Sequence, residues 1–287
     1  MPGQHVMKIS VIIPSWNRAD RLVAALDSVR AQSIAPHEII VVDDGSTDNT
    51  RERVTRHYPD VHYLYQQNKG VSSARNTGIT AATGDWIALL DSDDRWEPFK
   101  LERQRQAIHA QPGHKLCHSD EIWVRNGKRV NPMKKHAKHG GKIFSQCLPL
   151  CVISPSAVMI QRDLFNDVGL FDESLPACED YDLWLRICAL YPVLYVDQPL
   201  IIKVGGHADQ LSRRYWGMDR FRIQALEKIL AAGVLNEQDH ADALHVLLEK
   251  LAIMIQGAEK RDNRTLADRY RDKQRNASRL HLVADTA

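Results

Sequence analysis

The 287 residues carry 38 Lys and Arg against 36 Asp and Glu, a formal charge of +2, with 44% apolar and 26% charged residues. That balance suits a globular chain with a substantial core and argues against nucleic acid as the main partner. No run reaches the ~18 consecutive apolar residues of a membrane span, so any membrane contact is expected to be peripheral.

Lys8 to Pro14 reads as a strand stopped by a proline, followed by the loop Ser15-Trp16-Asn17-Arg18. From Arg18 to Gln32, apolar residues at helical spacing (Leu22, Ala25, Leu26, Val29) predict a helix. Glu38 to Val42 is a second buried strand running into Asp43-Asp44-Gly45-Ser46-Thr47-Asp48, where Gly45 permits a turn and a cap follows for a helix reaching about Tyr58. Val61 to Tyr65 is a third strand, Gln66 to Gly70 a polar loop, and Val71 to Thr83 a helix rich in small residues. The apolar run Trp86-Ile87-Ala88-Leu89-Leu90 then meets Asp91-Ser92-Asp93-Asp94, and a helix from about Pro98 to Gln111 completes four strand–helix alternations. Such alternation predicts an α/β fold with a mostly parallel sheet flanked by helices. The polar strand ends then gather along one sheet edge, where open α/β sheets bind ligands. Three carboxylates within four positions repel one another unless a cation neutralises them, and a divalent ion with a phosphorylated ligand would do so. A Rossmann GxGxxG is absent after the first strand, so a bound cation is the alternative means of holding phosphates.

Beyond residue 111 the rhythm changes. Asp120 to Val130 reads as a hairpin turning at Asn126-Gly127. Residues 132–142 are basic, contain glycine and lack apolar period, which predicts a mobile loop: a solvated segment, a lid over the donor, or a contact for a phosphorylated lipid. Ser156 to Ile160 and Val193 to Val196 read as short strands, with a helix from Asp180 to Leu190 between them. From Trp216 onward the pattern is helical, and the tail beyond Lys260 reads as a solvated helix or a partly disordered segment. The apolar faces between Phe221 and Ile255 leave two partners open, the preceding 215 residues or a second copy in a homodimer. Five cysteines without a CxxC pair, and no apolar leader at the N-terminus, imply free thiols in a reducing, cytoplasmic setting. Cys147 and Cys151 read as small hydrophobes.

Five blocks in series resemble family 2 glycosyltransferases of the GT-A fold. These are Ile9 to Arg18, Val42 to Asp48, Gly70 to Gly78 with Ala74-Arg75-Asn76, Asp91 to Asp94, and Glu179-Asp180-Tyr181-Asp182-Leu183-Trp184. The resemblance spans residues 7–212 and implies three parts. Residues 1–111 form a nucleotide-sugar-binding half and 112–215 an acceptor-binding, catalytic half of one GT-A domain. Residues 216–287 form a C-terminal helical extension without a recognisable signature. Pro14 and Trp16, on the loop after the first strand, would border the nucleotide base, and Asp44 would accept a hydrogen bond from it. Asp91 and Asp93 are the DxD pair, the first near the ribose and the second on Mn²⁺ or Mg²⁺. Two readings of Arg75 stand together: it offsets phosphate charge, or it is a structural bridge to Asp44 or Asp91. His207 is a further metal or diphosphate ligand, or a histidine with an ordinary structural partner.

The resemblance makes Asp180 the catalytic base, with Glu179 a weaker alternative and Asp182 structural or solvated. An acceptor hydroxyl loses its proton as it attacks, and a carboxylate in reach supplies general base catalysis. One base and no covalent intermediate predicts inversion. The expected reaction moves a sugar from a nucleotide-diphosphate donor, by family habit UDP, to a saccharide or lipid-linked acceptor in surface polysaccharide synthesis. A sugar nucleotidyltransferase would carry a glycine- and basic-rich loop after the first strand, which Pro14-Ser15-Trp16-Asn17 is not. The alternative outside the enzymes is a binding or scaffold protein that keeps the fold without the activity.

Overall fold

The run Trp86–Leu89 forms β4, buried throughout and flanked by β1 (Ile9–Ser15) on one side and β8 (Met159–Gln161) on the other. The structure, a computed structural model, describes residues 6–131, 133–206 and 215–284. Its sheet runs β3 (His62–Gln66), β2 (Glu38–Asp44), β1, β4, β8, β6 (Leu116–Arg125), β9 (Leu194–Gly205), β5 (Arg95–Trp96), with β7 (Lys128–Val130) pairing β6. The β3-β2-β1-β4 half is parallel, as the alternation predicts. Beyond β4 the sheet is mixed, since β8 runs antiparallel to both β4 and β6, while β6 and β9 are parallel. One sheet therefore carries the parallel strands β1 to β4 and the mixed strands beyond them.

Pro14 lies inside β1, opposite Val42 of β2, and not on the loop beyond the strand. The reason is geometric. Ile12 points its carbonyl toward β4, where Leu90 donates to it, and Pro14 shares that orientation two residues on. The paired part of β4 has ended at Leu89, so the missing proline N–H leaves no ladder bond unmade. A longer correction concerns β9, read as four residues but twelve long. Register shifts around Asp120 absorb the stretch Asp197-Gln198-Pro199, which hides the strand's continuity from periodicity.

Helices α1 (Ala19–Arg30), α2 (Thr50–His57), α3 (Val71–Ala81) and α4 (Lys100–Ala110) form where the sequence predicts helices. Small residues let α3 lie close to the sheet. A Cβ on Gly78 would stand 2.4 Å from Ile12 Cγ2, so no larger residue fits there. The short helices α5 (Phe144–Cys147) and α6 (Leu164–Val168) precede α7 (Glu179–Leu190). The hairpin β6–β7 turns at Asn126 and Gly127, both at positive φ, as a two-residue turn requires.

The 133–142 segment is pinned, contrary to the mobile loop expected of it. It contains a 3₁₀ turn at Lys134–His136. Lys138 ion-pairs with Glu121 at 3.2 Å, both side chains buried, and donates to the Val152 carbonyl. His118 Nε2 bonds the His139 carbonyl oxygen at 2.9 Å, and the His136 ring rests on Trp123. Burial raises the Glu121 carboxyl, but Lys203 and Lys138 outweigh it and hold the group at about 2.

The C-terminal residues form α8 (Asp219–Ala231), α9 (Glu237–Glu259) and α10 (Arg264–Ala284). Of the two partners left open for their apolar faces, the preceding chain takes them. Phe221, Ile223, Leu226, Ile229, Leu244, Leu247 and Leu251 share one core with Tyr181, Trp184 and Ile187 of α7. Asp182, 1% exposed in its side chain, ties α7 to α8 through Lys228 at 2.8 Å and also pairs with Arg186. It is a structural acid. The tail past Lys260 is helical rather than loose, with Ala267, Tyr270 and Ala277 buried.

Candidate active site

Two strand-end loops build one wall at the end of the parallel strands. Asn17 sits in the left-handed region at φ 51 and turns its Oδ1 onto the backbone N–H of Thr47 at 2.7 Å and Asp48 at 3.3 Å. Its own N–H donates to Ser46 Oγ. Asp48 Oδ2 in turn accepts from the Ala19 N–H that opens α1, and its Oδ1 from Thr50 at the start of α2. These bonds lock the loop after β1 to the loop after β2. Asp44 is buried and accepts from Gln66 Nε2, Lys69 N and Gly70 N at 2.8–2.9 Å, so it shapes the loop that leads into α3. A carboxylate takes about four hydrogen bonds, so these three leave Asp44 room for one more donor. Asp43 is held by Ser46 N and the Tyr63 hydroxyl. Trp16 stands 44% exposed beside this wall.

The acid turn follows β4. Asp94 is 3% exposed, its Oδ2 accepting from Ser156 Oγ at 2.7 Å and its Oδ1 from the Val204 N–H at 2.9 Å. Ser156 Oγ also accepts the Asp91 N–H at 3.1 Å, so one hydroxyl fixes both ends of the turn. Burial pushes the Asp94 carboxyl up to about 8, and the charges of Asp93 and Asp91 add to the effect. Asp94 is thus the buried post of the turn, while Asp91 and Asp93 keep side-chain exposures of 28% and 14%. Arg18 meets Asp93 at 2.9 Å.

The second acid pair opens α7. Cys178, buried and at φ 62, makes the turn that starts the helix. Glu179 then points inward and Asp180 stays half-buried. Arg75 of α3 joins the two acid groups, with Nη2 on Asp91 and Nη1 on Glu179, each at 2.7 Å. Both carboxylates hold the guanidinium well above its usual range despite burial. Burial and the neighbouring Asp180 push Glu179 up, and Arg75 opposes them. Glu179 is therefore occupied by Arg75, and Asp180 is the acid of the pair without an arginine partner among those shown. Cys151 Sγ lies 3.2 Å from the Ile153 carbonyl oxygen and 3.3 Å from Asp180 Oδ2, either of which its one proton can serve, and the Tyr181 N–H donates to Asp180 Oδ1. Burial and Asp180 together drive the Cys151 thiol well above its normal range, which keeps it a donor.

Comparison with known proteins follows this geometry. The family profile described as glycosyl transferase family 2 matches residues 10–169. The chain belongs to glycosyltransferase family 2. A Rickettsia prowazekii (strain Madrid E) protein named as an uncharacterised glycosyltransferase is 36% identical over 70% of this chain and 65% of its own length. A similar Rickettsia conorii protein is 34% identical over 72% of this chain, which spans only 35% of that relative's length. An Escherichia coli relative named as a UDP-Glc:α-D-GlcNAc-diphosphoundecaprenol β-1,3-glucosyltransferase is 35% identical, over 62% of this chain and 69% of its own length. Among solved structures, S. aureus TarS in complex with UDP-GlcNAc superposes with a TM-score of 0.67 and 22% identity, covering 85% of this chain and 72% of TarS. That likeness carries the GT-A fold.

Within this family 2 framework, the structure brings together Asp91, Arg75 and the Glu179-Asp180 pair from three distant segments. Arg75 pairs with Asp91, one of the two partners expected for a bridge, and with Glu179 in place of Asp44. His207 lies outside the described residues. Sequence reading missed Arg18 as a partner of Asp93, and Cys151 as a donor within reach of Asp180. Ser156 as the support of the acid turn was also missed. The motif itself contains Arg18, which was the available signal; nothing local marks Cys151 or Ser156. No group of three or more His, Cys, Asp or Glu that could cage a metal occurs among the described residues. Asp91 and Asp93 nevertheless suit a hard cation that takes the rest of its shell from phosphate and water. No helix among the described residues is long and apolar enough to cross a membrane.

Proposed function

We propose that this chain is a metal-dependent, inverting glycosyltransferase that moves a sugar from a UDP-sugar to a saccharide or lipid-linked saccharide acceptor of a surface polymer. One observation supports the reading: Arg75 bonds both Asp91, at the end of β4, and Glu179, at the start of α7, which brings Asp180 close to the acid turn. The Escherichia coli relative, whose name gives a UDP-sugar donor and a lipid diphosphate acceptor, supports the choice of substrates.

In this mechanism the wall of Pro14, Trp16 and Asp44 receives the base, with Asp44 using its remaining acceptor capacity. Trp16 offers an aromatic face to the ring. Asp91 and Asp93 would hold Mn²⁺ or Mg²⁺, which when bound supplies Lewis-acid stabilisation of the leaving diphosphate. Asp180 takes the proton of the attacking acceptor hydroxyl. When the Cys151 proton serves Asp180, the weak thiol bond orients that carboxylate without much loss of basicity. Arg75 remains a fixed charge behind the site, since both of its carboxylate partners are within 2.7 Å.

Thermal unfolding across a panel of nucleotide sugars, with and without Mn²⁺, tests the reading. A UDP-sugar is expected to raise the melting temperature chiefly with Mn²⁺ present, and to be slowly hydrolysed. Binding without any turnover would favour the scaffold alternative, and no response to any nucleotide sugar would remove the donor assignment.

A further inference from the structure

Between Glu121 and Asp163 the chain has no acidic residue, and residues 125–142 carry seven Lys and Arg in a protein of net charge +2. The fold uses one of the seven internally, since Lys138 is buried against Glu121. Arg125, Lys128, Arg129, Lys134, Lys135 and Lys142 are exposed, and none of them pairs with an acid among the described residues.

The packing makes these stretches one face. Glu121, Trp123 and Arg125 lie on the same side of β6. The Trp123 indole N–H donates to Glu121 Oε1 at 2.7 Å, and the Arg125 guanidinium stands 5.9 Å from the Trp123 ring centroid. The segment 133–142 packs on that side, through Lys138 on Glu121 and the His136 ring on Trp123. Lys134 and Lys135 are thereby carried beside the hairpin tip, with Met133, 61% exposed, ahead of them. The face also borders the acid turn. Val204, whose N–H donates to Asp94 Oδ1 at 2.9 Å, is the β9 partner of Val124, one residue short of Arg125.

The arrangement costs stability. Arg125 and Lys128 are directly opposed across the hairpin, and like charges so placed destabilise a strand pair. Cations that repel one another, and that no described acid relieves, point to an anion from outside. A single phosphate would meet only one or two of them, because they are spread over a hairpin tip and a 3₁₀ turn. A layer of lipid headgroups meets them together, and its acyl boundary also receives the Met133 side chain, which a polynucleotide would not.

We propose that the β6–β7 tip and the 133–136 turn form a docking face for an anionic lipid bilayer, which holds the acid turn beside the membrane surface. The docking goes beyond the transfer reaction and needs neither donor nor acceptor.

The test floats the full chain with vesicles of equal parts phosphatidylglycerol and phosphatidylcholine, and with vesicles of phosphatidylcholine alone. Binding is expected to the anionic vesicles only, and to fade as added salt shortens the reach of the charges. Each basic side chain at such a surface is worth about fivefold in affinity, so Lys134→Gln with Lys135→Gln should weaken binding roughly 25-fold. Arg51→Gln with Arg56→Gln removes the same charge from α2, beside β3 at the far end of the sheet, and should change binding little. All four side chains are exposed, so the urea midpoint should hold in both doubles. Equal losses in the two doubles would mean attraction by net charge alone, and equal binding to both vesicle types would remove the anionic requirement. Either result overturns the docking face. So does binding of a duplex oligonucleotide that the lysine double weakens as much as it weakens the vesicles. Failure here leaves the transfer reading standing, and failure of the nucleotide-sugar panel leaves the docking face standing.

Discussion

Arg75 and Glu179, 104 residues apart in the chain, meet at 2.7 Å with both side chains almost wholly buried. The pair is the internal strut between α3, packed on the parallel strands, and the first turn of α7. Removing one partner of a buried pair leaves the other charge uncompensated, a loss of about 3–5 kcal/mol. Arg75→Ala is therefore expected to lose stability on that scale in urea unfolding. Arg75→Lys should recover only part of it, since a single ammonium lacks the fork that reaches Asp91 and Glu179 together. A loss under about 1 kcal/mol for Arg75→Ala would show that the strut is not holding α3 to α7.

Asp180 stands one residue beyond Glu179 and is free of that strut. Asp180→Asn keeps the shape and the hydrogen bond from Tyr181 N but removes the proton acceptor. Transfer is expected to fall by about 10²–10⁴-fold or more, the range for loss of a general base. UDP binding with Mn²⁺ and the unfolding midpoint should stay near those of the unaltered chain. Parallel loss of binding and stability would make Asp180 a structural acid. Cys151→Ala, which removes the thiol donor, should lower turnover more modestly while leaving UDP affinity unchanged.

The strands β1, β2 and β4 are legible because each holds a short apolar run ending in polar residues, and β3 because it carries tyrosines and leucine between polar ends. The site acids are legible for the same reason, since Asp44, Asp91 and Asp93 stand where those runs end. What the chain does not advertise are relationships set by side-chain direction across distant elements. Arg18 meets Asp93 because two loops emerge at one sheet edge, and Cys151 meets Asp180 because a loop after α5 passes the start of α7. Two-residue β5 is too short to carry periodicity, and the interior Pro199 disguises β9. The basic segment 133–142 looks solvated in sequence because its anchoring residue, Lys138, is buried by a partner, Glu121, that lies on β6.

Lys100 gives a prediction with a sign. Its ammonium is fully buried, donating to Gln104 Oε1 at 2.8 Å over the Trp96 ring. Burial pushes it down to about 7 from an ordinary value of 10.5. Below about pH 7 the folded and unfolded chains both hold the proton, and the whole burial penalty is present. Between about 7 and 10.5 the unfolded chain holds more protons than the folded one, so this residue makes stability rise with pH, by at most about 1.4 kcal/mol per pH unit. Urea unfolding from pH 7 to 9 should show that rise in the unaltered chain and a flatter profile in Lys100→Met. Equal slopes in the two proteins would mean that Lys100 does not lose its proton in the folded state.

The C-terminal helices are expected to behave as core and not as an appendage. Leu226 of α8 is fully buried in the cluster that contains Trp184 and Ile187 of α7. That cluster backs the helix whose first turn presents Asp180. Truncating a buried leucine removes its transfer free energy and leaves a cavity, together about 2–5 kcal/mol. Leu226→Ala should lower the urea midpoint accordingly, in a single transition shared by far-ultraviolet circular dichroism and tryptophan fluorescence. A separate early transition that spares UDP binding would instead mark residues 216–287 as an independently melting unit. The polar ties argue against that outcome: Lys228 of α8 reaches the buried Asp182 at 2.8 Å, and Lys250 of α9 donates to the Pro149 carbonyl at 2.9 Å just ahead of Cys151. Melting α8 and α9 would strip both contacts from the segments that position the Asp180 carboxylate.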